Sequence, residues 1–152
     1  MKRLLLGVGN RLSRDDALGP EVARRLAETG TTEWQAIDCG TALENASGLV
    51  TREKPDLLVI VDAARMGLPA GSIRRLPTTG SDQMLASTHG LPLPFVLDRL
   101  RSAASEVHLI GVEPADTSFG DGLTGVAEDA ADRLVQILRT GNLADIPAVT
   151  RD

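Results

Sequence analysis

Apolar runs and amphipathic stretches alternate along the chain and predict a regular series of strands and helices. Apolar runs predict strands near residues 2–7, 34–37, 57–61, 72–76 (short and at an edge) and 107–112. Apolar positions one helical turn apart predict helices over about 20–28, 43–52, 91–104 and 124–138. This order predicts an α/β fold, a three-layer α/β/α single domain spanning residues 1–152.

The predicted sheet is doubly wound, mostly parallel and five-stranded, with helices on both faces. The run from Leu57 to Val61 is apolar throughout, as expected for a central parallel strand covered on both faces. The simplest arrangement puts the first strand between the second and third, and ligands bind beyond the carboxyl ends of strands at such a switch point. Residues 140–152 are expected to form a loosely held tail.

Composition removes several classes of function. Three aromatic residues (one Trp and two Phe) and a net charge of -5 disfavour a nucleic-acid partner. No apolar run is long enough for a signal peptide or a membrane span, and the single cysteine, Cys39, cannot form an intrachain disulfide, so we expect a cytoplasmic protein without membrane insertion. The sequence also lacks a Gly-x-Ser-x-Gly elbow, a Walker loop and a His-Glu-x-x-His motif.

Three aspartates and one histidine lie in the segments that lead to the crevice at the switch point, and two of the carboxylates are expected to converge there with the imidazole. The first strand leads to Asp15 and Asp16, the third ends at Asp62, and His89 lies in the loop before the third helix. Such a set suits a divalent metal, although mixed oxygen and nitrogen ligands do not choose among Zn²⁺, Ni²⁺, Mn²⁺ and Fe²⁺.

Each of these residues also has a structural alternative. Asp15 or Asp16 could cap the first helix, Asp62 could cap a turn, and His89 could be an exposed first-turn residue. Structural roles are predicted for the remaining polar candidates: Cys39 as a small filler, Thr41 as a helix cap and His108 within a strand.

Five motifs in this order resemble those of the hydrogenase maturation endopeptidases, which trim the C-terminus of the large subunit of nickel-iron hydrogenases. The motifs are Gly7-x-Gly9-Asn10-x-Leu12-x-x-Asp15-Asp16-x-x-Gly19-Pro20, Asp38-Cys39-Gly40-Thr41, Val61-Asp62-Ala63, Thr88-His89-Gly90-Leu91 and Ile110-Gly111-Val112-Glu113-Pro114. The chain departs from the family at Ala17 and Cys39, where glycine is usual. A left-handed backbone at Ala17 would be costly.

The resemblance implies a peptidase that cuts a C-terminal peptide from the nickel-loaded large-subunit precursor. It implies that Asp16, Asp62 and His89 bind the metal and form the catalytic set. The nickel would arrive with the substrate, and another divalent cation would substitute in crystals. We expect a monomer.

The reaction mechanism and two other functions stay open at this point. The metal would polarise the scissile carbonyl or activate a water that Asp15 or Asp38 orients, or it would serve only for recognition. A non-proteolytic metal- or phosphate-binding module is the alternative from another class, although the paired acids would repel phosphate. A third is another metal-dependent amidase of similar fold.

Overall fold

The computed structural model describes residues 1–78, 93–140 and 142–149. Over these ranges the strands and α-helices follow the order that the sequence predicted. They are β1 (Arg3–Gly7), α1 (Leu18–Glu28), β2 (Trp34–Asp38), α2 (Ser47–Glu53), β3 (Leu57–Ala63), β4 (Ile73–Leu76), α3 (Leu93–Arg101), β5 (Glu106–Val112) and α4 (Gly125–Thr140). Single turns of 3-10 helix are formed by Arg14–Ala17, Leu43–Ala46 and Leu143–Asp145.

The strands form a sheet in the order β2-β1-β3-β5-β4. The first four of these are mutually parallel, and β4 pairs antiparallel with β5 at the edge. This confirms the doubly wound, mostly parallel sheet with β1 between β2 and β3. Gly7, the last residue of β1, lies opposite Asp38 of β2 and Val61 of β3. The carboxyl ends of these three strands therefore meet along one side of the sheet, which we call the carboxyl edge.

Side chains of β3 alternate between two aliphatic cores, one on each face of the sheet. Val59 and Val61 pack with residues of α1 and α4, whereas Leu58 and Ile60 pack with residues of α2 and α3. All residues of β3 are buried, as its apolar sequence predicted. Helices thus cover both faces and confirm the three-layer architecture.

The helices begin and end close to their predicted limits. α1 begins at Leu18, and Pro20 lies in its first turn, where the missing N–H breaks no helical hydrogen bond. Arg25 of α1 forms ion pairs with Glu128 and Asp132 of α4 and so ties together the two helices on that face. Within the described ranges, no helix has the length and apolar character needed to cross a membrane.

The C-terminal segment is held more firmly than the sequence predicted. Leu143 and Ile146 are buried in the core beneath α1 and α4. The backbone N–H of Arg75 donates to the Pro147 carbonyl at 2.8 Å, and the Val149 N–H donates to the Arg75 carbonyl at 2.9 Å. Residues 147–149 therefore pair with the outer side of β4, within the stretch for which the sequence predicted a loosely held tail.

Candidate active site

Three glycines allow the start of α1 to lie directly on the carboxyl edge. A Cβ atom on Gly7 would be 2.1 Å from the Gly19 carbonyl oxygen, and one on Gly19 would be 2.4 Å from the Val61 carbonyl oxygen. A Cβ on Gly9 would be 1.9 Å from the Asp16 carbonyl oxygen. Because these neighbours are backbone atoms, no side chain fits at the three positions without displacing the chain. The glycines of the first motif therefore serve close packing of β1, β3 and α1.

Asp16 lies on the loop that joins β1 to α1. Its Oδ2 accepts a hydrogen bond from the backbone N–H of Asn10 at 3.1 Å, which closes the loop on itself. The Val8 N–H donates to the Val61 carbonyl at 2.9 Å and fastens the beginning of the loop to β3. Half-buried Asp16 thus lies beside the switch point between β1 and β3, where the sequence predicted a ligand crevice.

The replacement of the usual glycine by Ala17 imposes no backbone strain. Ala17 has a φ of -82°, which any residue adopts. The left-handed residue of this loop is instead Arg14, with a φ of 43°. The expected cost of alanine at position 17 is therefore absent.

Asp62 lies inside β3 and not in a turn after it. The strand continues through Ala63, and Asp62 pairs in register with Gly111 of β5. Its side chain is only 8% exposed. By the alternation along β3, Asp62 is on the same face as Ile60, towards α2 and α3. The alternative role of Asp62 as a turn cap is therefore wrong.

His89 lies outside the described residues. α3 begins shortly after it, at Leu93, and Leu97 and Leu100 of α3 pack in the core on the face that carries Asp62. Across residues 1–78, 93–140 and 142–149, no three His, Cys, Asp or Glu side chains are grouped so that they could hold a metal ion. Of the predicted set, Asp16 and Asp62 belong to these ranges.

Asp15 is fully buried and connects two loops that are distant in sequence. Its Oδ1 accepts a hydrogen bond from the Thr124 N–H at 2.8 Å. Its Oδ2 accepts from the Thr124 hydroxyl at 2.8 Å and from the N–H groups of Ala115 and Asp116 at 2.9 and 3.2 Å. The carboxylate thus binds the residue before α4, so the predicted alternative in which it caps α1 is wrong. Four donors and complete burial also argue against a role for Asp15 in orienting a water.

Asp38, at the end of β2, is more exposed than Asp15, and its carboxylate also accepts a backbone hydrogen bond. Its carboxylate accepts a hydrogen bond from the Gly40 N–H at 2.8 Å and forms an ion pair with Arg11. The Gly9 N–H donates to the Gly40 carbonyl at 2.8 Å, so this turn supports the loop that carries Asp16. The 3-10 turn before α2 has no side-chain cap, and the prediction that Thr41 caps it is wrong.

Glu113 is a buried acid to which the sequence analysis assigned no role. It is 6% exposed, and its Oε1 accepts hydrogen bonds from the backbone N–H groups of Met66 and Leu68 at 2.7 and 3.0 Å. The carboxylate thereby holds the loop that follows β3. The sequence did contain one signal for this role, a single acid between an apolar strand and Pro114. Burial of a charge is costly, so an acid at such a place is rarely buried without hydrogen-bond donors.

Cys39 and His108 have the structural surroundings that the sequence predicted. Cys39 is half-buried and packs against the core on the α2 and α3 face. Burial, and secondarily the charge of Asp38, raises the pKa of its thiol to about 11, so it is neutral near pH 7 and is not a thiolate nucleophile. His108 lies near the amino end of β5, its Nε2 3.4 Å from Glu106, away from the carboxyl edge.

Comparison with known proteins assigns the chain to a family. The family model for hydrogenase maturation proteases matches residues 20–140. The chain is 34% identical over 139 residues to the Hydrogenase 3 maturation protease of Escherichia coli (strain K12), covering 91% of this chain and 89% of that relative. This chain belongs to the hydrogenase maturation protease family. The family's activity makes it an endopeptidase and therefore a hydrolase.

Solved structures of hydrogenase maturation proteases share its fold. The solution structure of the endopeptidase HycI from Escherichia coli superposes with a TM-score of 0.86 at 31% identity, covering 99% of this chain and 97% of that chain. The [NiFe] hydrogenase maturation protease HycI from Thermococcus kodakarensis KOD1 gives a TM-score of 0.81 at 31% identity, with coverage of 91% and 90%. These matches confirm the resemblance drawn from the motifs.

The family motifs converge in space although they are far apart in sequence. Four of them follow, or lie at, the carboxyl ends of β1, β2, β3 and β5. They begin at Gly7, Asp38, Val61 and Ile110. The fifth motif, which contains His89, is outside the described ranges. The carboxyl edge is therefore the candidate active site of this hydrogenase maturation protease.

Proposed function

We propose that this hydrogenase maturation protease removes a C-terminal peptide from the nickel-loaded precursor of a [NiFe] hydrogenase large subunit. In this proposal Asp16, Asp62 and His89 contact the nickel, which belongs to the substrate. The names of its relatives support the substrate class: one is a Hydrogenase 3 maturation protease and another a [NiFe] hydrogenase maturation protease.

The position of two carboxylates at adjoining strand ends is the main support for the proposal. Asp16 is on the loop after β1, Asp62 is near the end of β3, and the two strands are hydrogen-bonded neighbours. Ligands of doubly wound sheets bind at this kind of junction. Carboxylate oxygens and an imidazole nitrogen suit a first-row divalent ion such as nickel.

The donor set also suits an ion that arrives with ligands of its own. Asp16, Asp62 and His89 offer two oxygens and one nitrogen and no thiolate, so we expect weak and poorly selective binding of a free ion. Nickel inside a precursor would bring its remaining ligands with it. We therefore expect a chelator to leave the melting temperature of the free protease unchanged, unlike that of a domain folded by a structural metal.

A processing assay with the precursor tests the proposal directly. The purified protein is incubated with nickel-loaded and with nickel-free precursor, and the precursor mass is measured. We expect the loaded form alone to lose a C-terminal peptide. Binding of the loaded precursor without any loss of mass would instead favour the non-proteolytic module.

Isosteric variants test the two carboxylates. Asp16→Asn and Asp62→Asn should abolish processing and weaken binding of the nickel-loaded precursor, whereas Asp129→Asn on the exposed side of α4 should change neither. Asparagine is preferable to alanine at position 62, because Asp62 is 8% exposed and truncation of its side chain would also leave a cavity beside β3.

A further inference from the structure

Two large apolar side chains are exposed on the loops beside the candidate active site. Leu12 is 59% exposed and Phe119 is 84% exposed. The sequence has only three aromatic residues (one Trp and two Phe), and Trp34 is buried. Exposure of Phe119 to solvent is therefore notable, because a large apolar side chain is more stable when it is covered. Exposed apolar patches of this kind mark interaction sites more often than scattered single residues do.

Leu12 and Phe119 lie on two loops that are joined by a short parallel pairing of their backbones. The Gly120 N–H donates to the Leu12 carbonyl at 2.8 Å, and the Arg14 N–H donates to the Gly120 carbonyl at 3.2 Å. Ser13 and Gly120 form the corresponding bridge. Leu12 and Phe119 immediately precede the bridged residues, so the two exposed apolar side chains are carried by backbone positions next to the bridge. We call this pair the Leu12–Phe119 patch.

Buried hydrogen bonds hold the patch in place. The carboxylate of Asp15 joins the loop of Leu12 to Thr124, beyond Phe119, and the Asp15 N–H donates to the Asp116 carbonyl at 3.0 Å. Because the two loops are fixed to each other, the apolar pair loses little conformational entropy when a partner covers it. Preorganisation of this kind favours binding.

The patch is continuous with the candidate active site. The Leu12 N–H donates to Asn10 Oδ1 at 2.9 Å, and the Asn10 N–H donates to Asp16 at 3.1 Å. A molecule that brings a metal to Asp16 therefore lies against the same loop. Arg11, which precedes Leu12 in sequence, pairs with Asp38, and Arg14, which follows the bridged Ser13, pairs with Asp116. The two loops thus carry charges of both signs beside the apolar residues, and an apolar centre with a polar rim is typical of a protein interface.

We infer that the Leu12–Phe119 patch docks an apolar surface of the hydrogenase precursor protein and thereby determines which substrate is engaged. The inference rests on the proposed function, because the precursor is the partner that must reach Asp16. The patch binds the body of the substrate, while the carboxylates at the carboxyl edge face its metal. Its contribution should consequently appear in KM and in precursor affinity, with little effect on kcat.

Charge-introducing variants of the patch test this inference. Phe119→Asp and Leu12→Asp should each raise KM for the nickel-loaded precursor by about tenfold or more and leave kcat within about twofold. Phe119→Leu, which keeps an apolar side chain, should stay near wild type. Gln136→Asp introduces the same charge on the exposed face of α4 and should not change KM. The melting temperature of each variant shows whether it is folded.

Direct binding of the precursor separates a failure of this inference from a failure of the proposed function. Wild-type protein that processes the precursor, together with an unchanged KM and Kd in Phe119→Asp, would overturn docking by the patch and leave the function intact. Wild-type protein that binds but never cuts would overturn the proteolytic function, and weaker binding by Phe119→Asp would still support docking. If Phe119→Asp only converts a dimer to a monomer and KM is unchanged, the patch is a contact between two copies of this chain.

Discussion

The carboxylate of Asp15 accepts hydrogen bonds from both the backbone N–H and the hydroxyl of Thr124, each at 2.8 Å and across 109 residues of sequence. Its neighbour Asp16 is half-buried and bonded to Asn10. The adjacent acids of the first motif thus divide their roles. One fastens the loop to the residue before α4, and the other remains half-buried at the carboxyl edge, the candidate active site.

Replacement of Asp15 by alanine should strongly destabilise the protein. The variant removes a fully buried carboxylate that accepts hydrogen bonds from the N–H groups of Ala115, Asp116 and Thr124, and a hydrogen bond to a charged group contributes about 1.5–3 kcal/mol. We expect a loss of about 3 kcal/mol or more in the free energy of unfolding, measured by urea denaturation. Asp121→Ala removes an exposed acid from the loop before α4, and its free energy of unfolding should stay within about 0.5 kcal/mol of wild type. Equal stabilities of the two variants would show that the Asp15 bonds do not hold the loops.

Glu113 should control the order of the loop after β3. In Glu113→Ala the N–H groups of Met66 and Leu68 lose their shared acceptor, which should lower the local stability by about 1.4 kcal/mol, the equivalent of about a tenfold faster opening. Hydrogen exchange at these two amides measures the effect. Glu106→Ala, at the exposed start of β5, should leave both amides protected as in wild type.

The fold was predictable from sequence because its signals are local. The uninterrupted apolar run from Leu57 to Val61 identified the central strand, and the order of elements identified the sheet. Because parallel strands end along one edge, the presence of Asp16 and Asp62 at the carboxyl edge could also be anticipated.

The partners of the buried acids were not predictable, because their hydrogen bonds join distant segments. Nothing near Asp15 indicates Thr124, and nothing near Glu113 indicates Met66. The extent of β3 was underestimated for a related reason: the apolar run stops at Val61, but pairing with β5 continues to Ala63 and buries Asp62 within the strand.

Gly7 should tolerate no side chain, because β1 and α1 approach each other closely at this residue. In Gly7→Ala the new Cβ would lie 2.1 Å from the Gly19 carbonyl oxygen, and neither backbone can move without disturbing the sheet. We expect a loss of about 3 kcal/mol or more, or failure to fold. Gly48→Ala in α2 meets no atom within 4 Å and should stabilise the protein by about 0.5–1 kcal/mol, because alanine is the better helix former. Thermal unfolding of the two variants is the measurement, and a well-folded Gly7→Ala protein would contradict the packing argument.

The thiol of Cys39, the single cysteine of the sequence, should react slowly with alkylating reagents and should not be needed for proteolysis. Burial and the charge of Asp38 raise the pKa of the Cys39 thiol to about 11, so little thiolate exists near neutral pH. Iodoacetamide should therefore alkylate Cys39 more than about tenfold more slowly at pH 7.5 than a free thiol of ordinary pKa, and the rate should rise steeply up to about pH 11.

The same shift in pKa gives a pH dependence of stability with a definite sign. The folded protein keeps the Cys39 proton to higher pH than the unfolded chain, so this contribution is fully present below the ordinary thiol pKa of 9.0 and is lost as pH rises towards about 11. Cys39→Ala should remove that alkaline decline, measured by urea denaturation at several pH values, and should retain processing of the precursor. A folded Cys39→Ala protein that binds the precursor but no longer cuts it would make the thiol a participant in the reaction and contradict the proposed assignment of the chemistry to Asp16, Asp62 and His89.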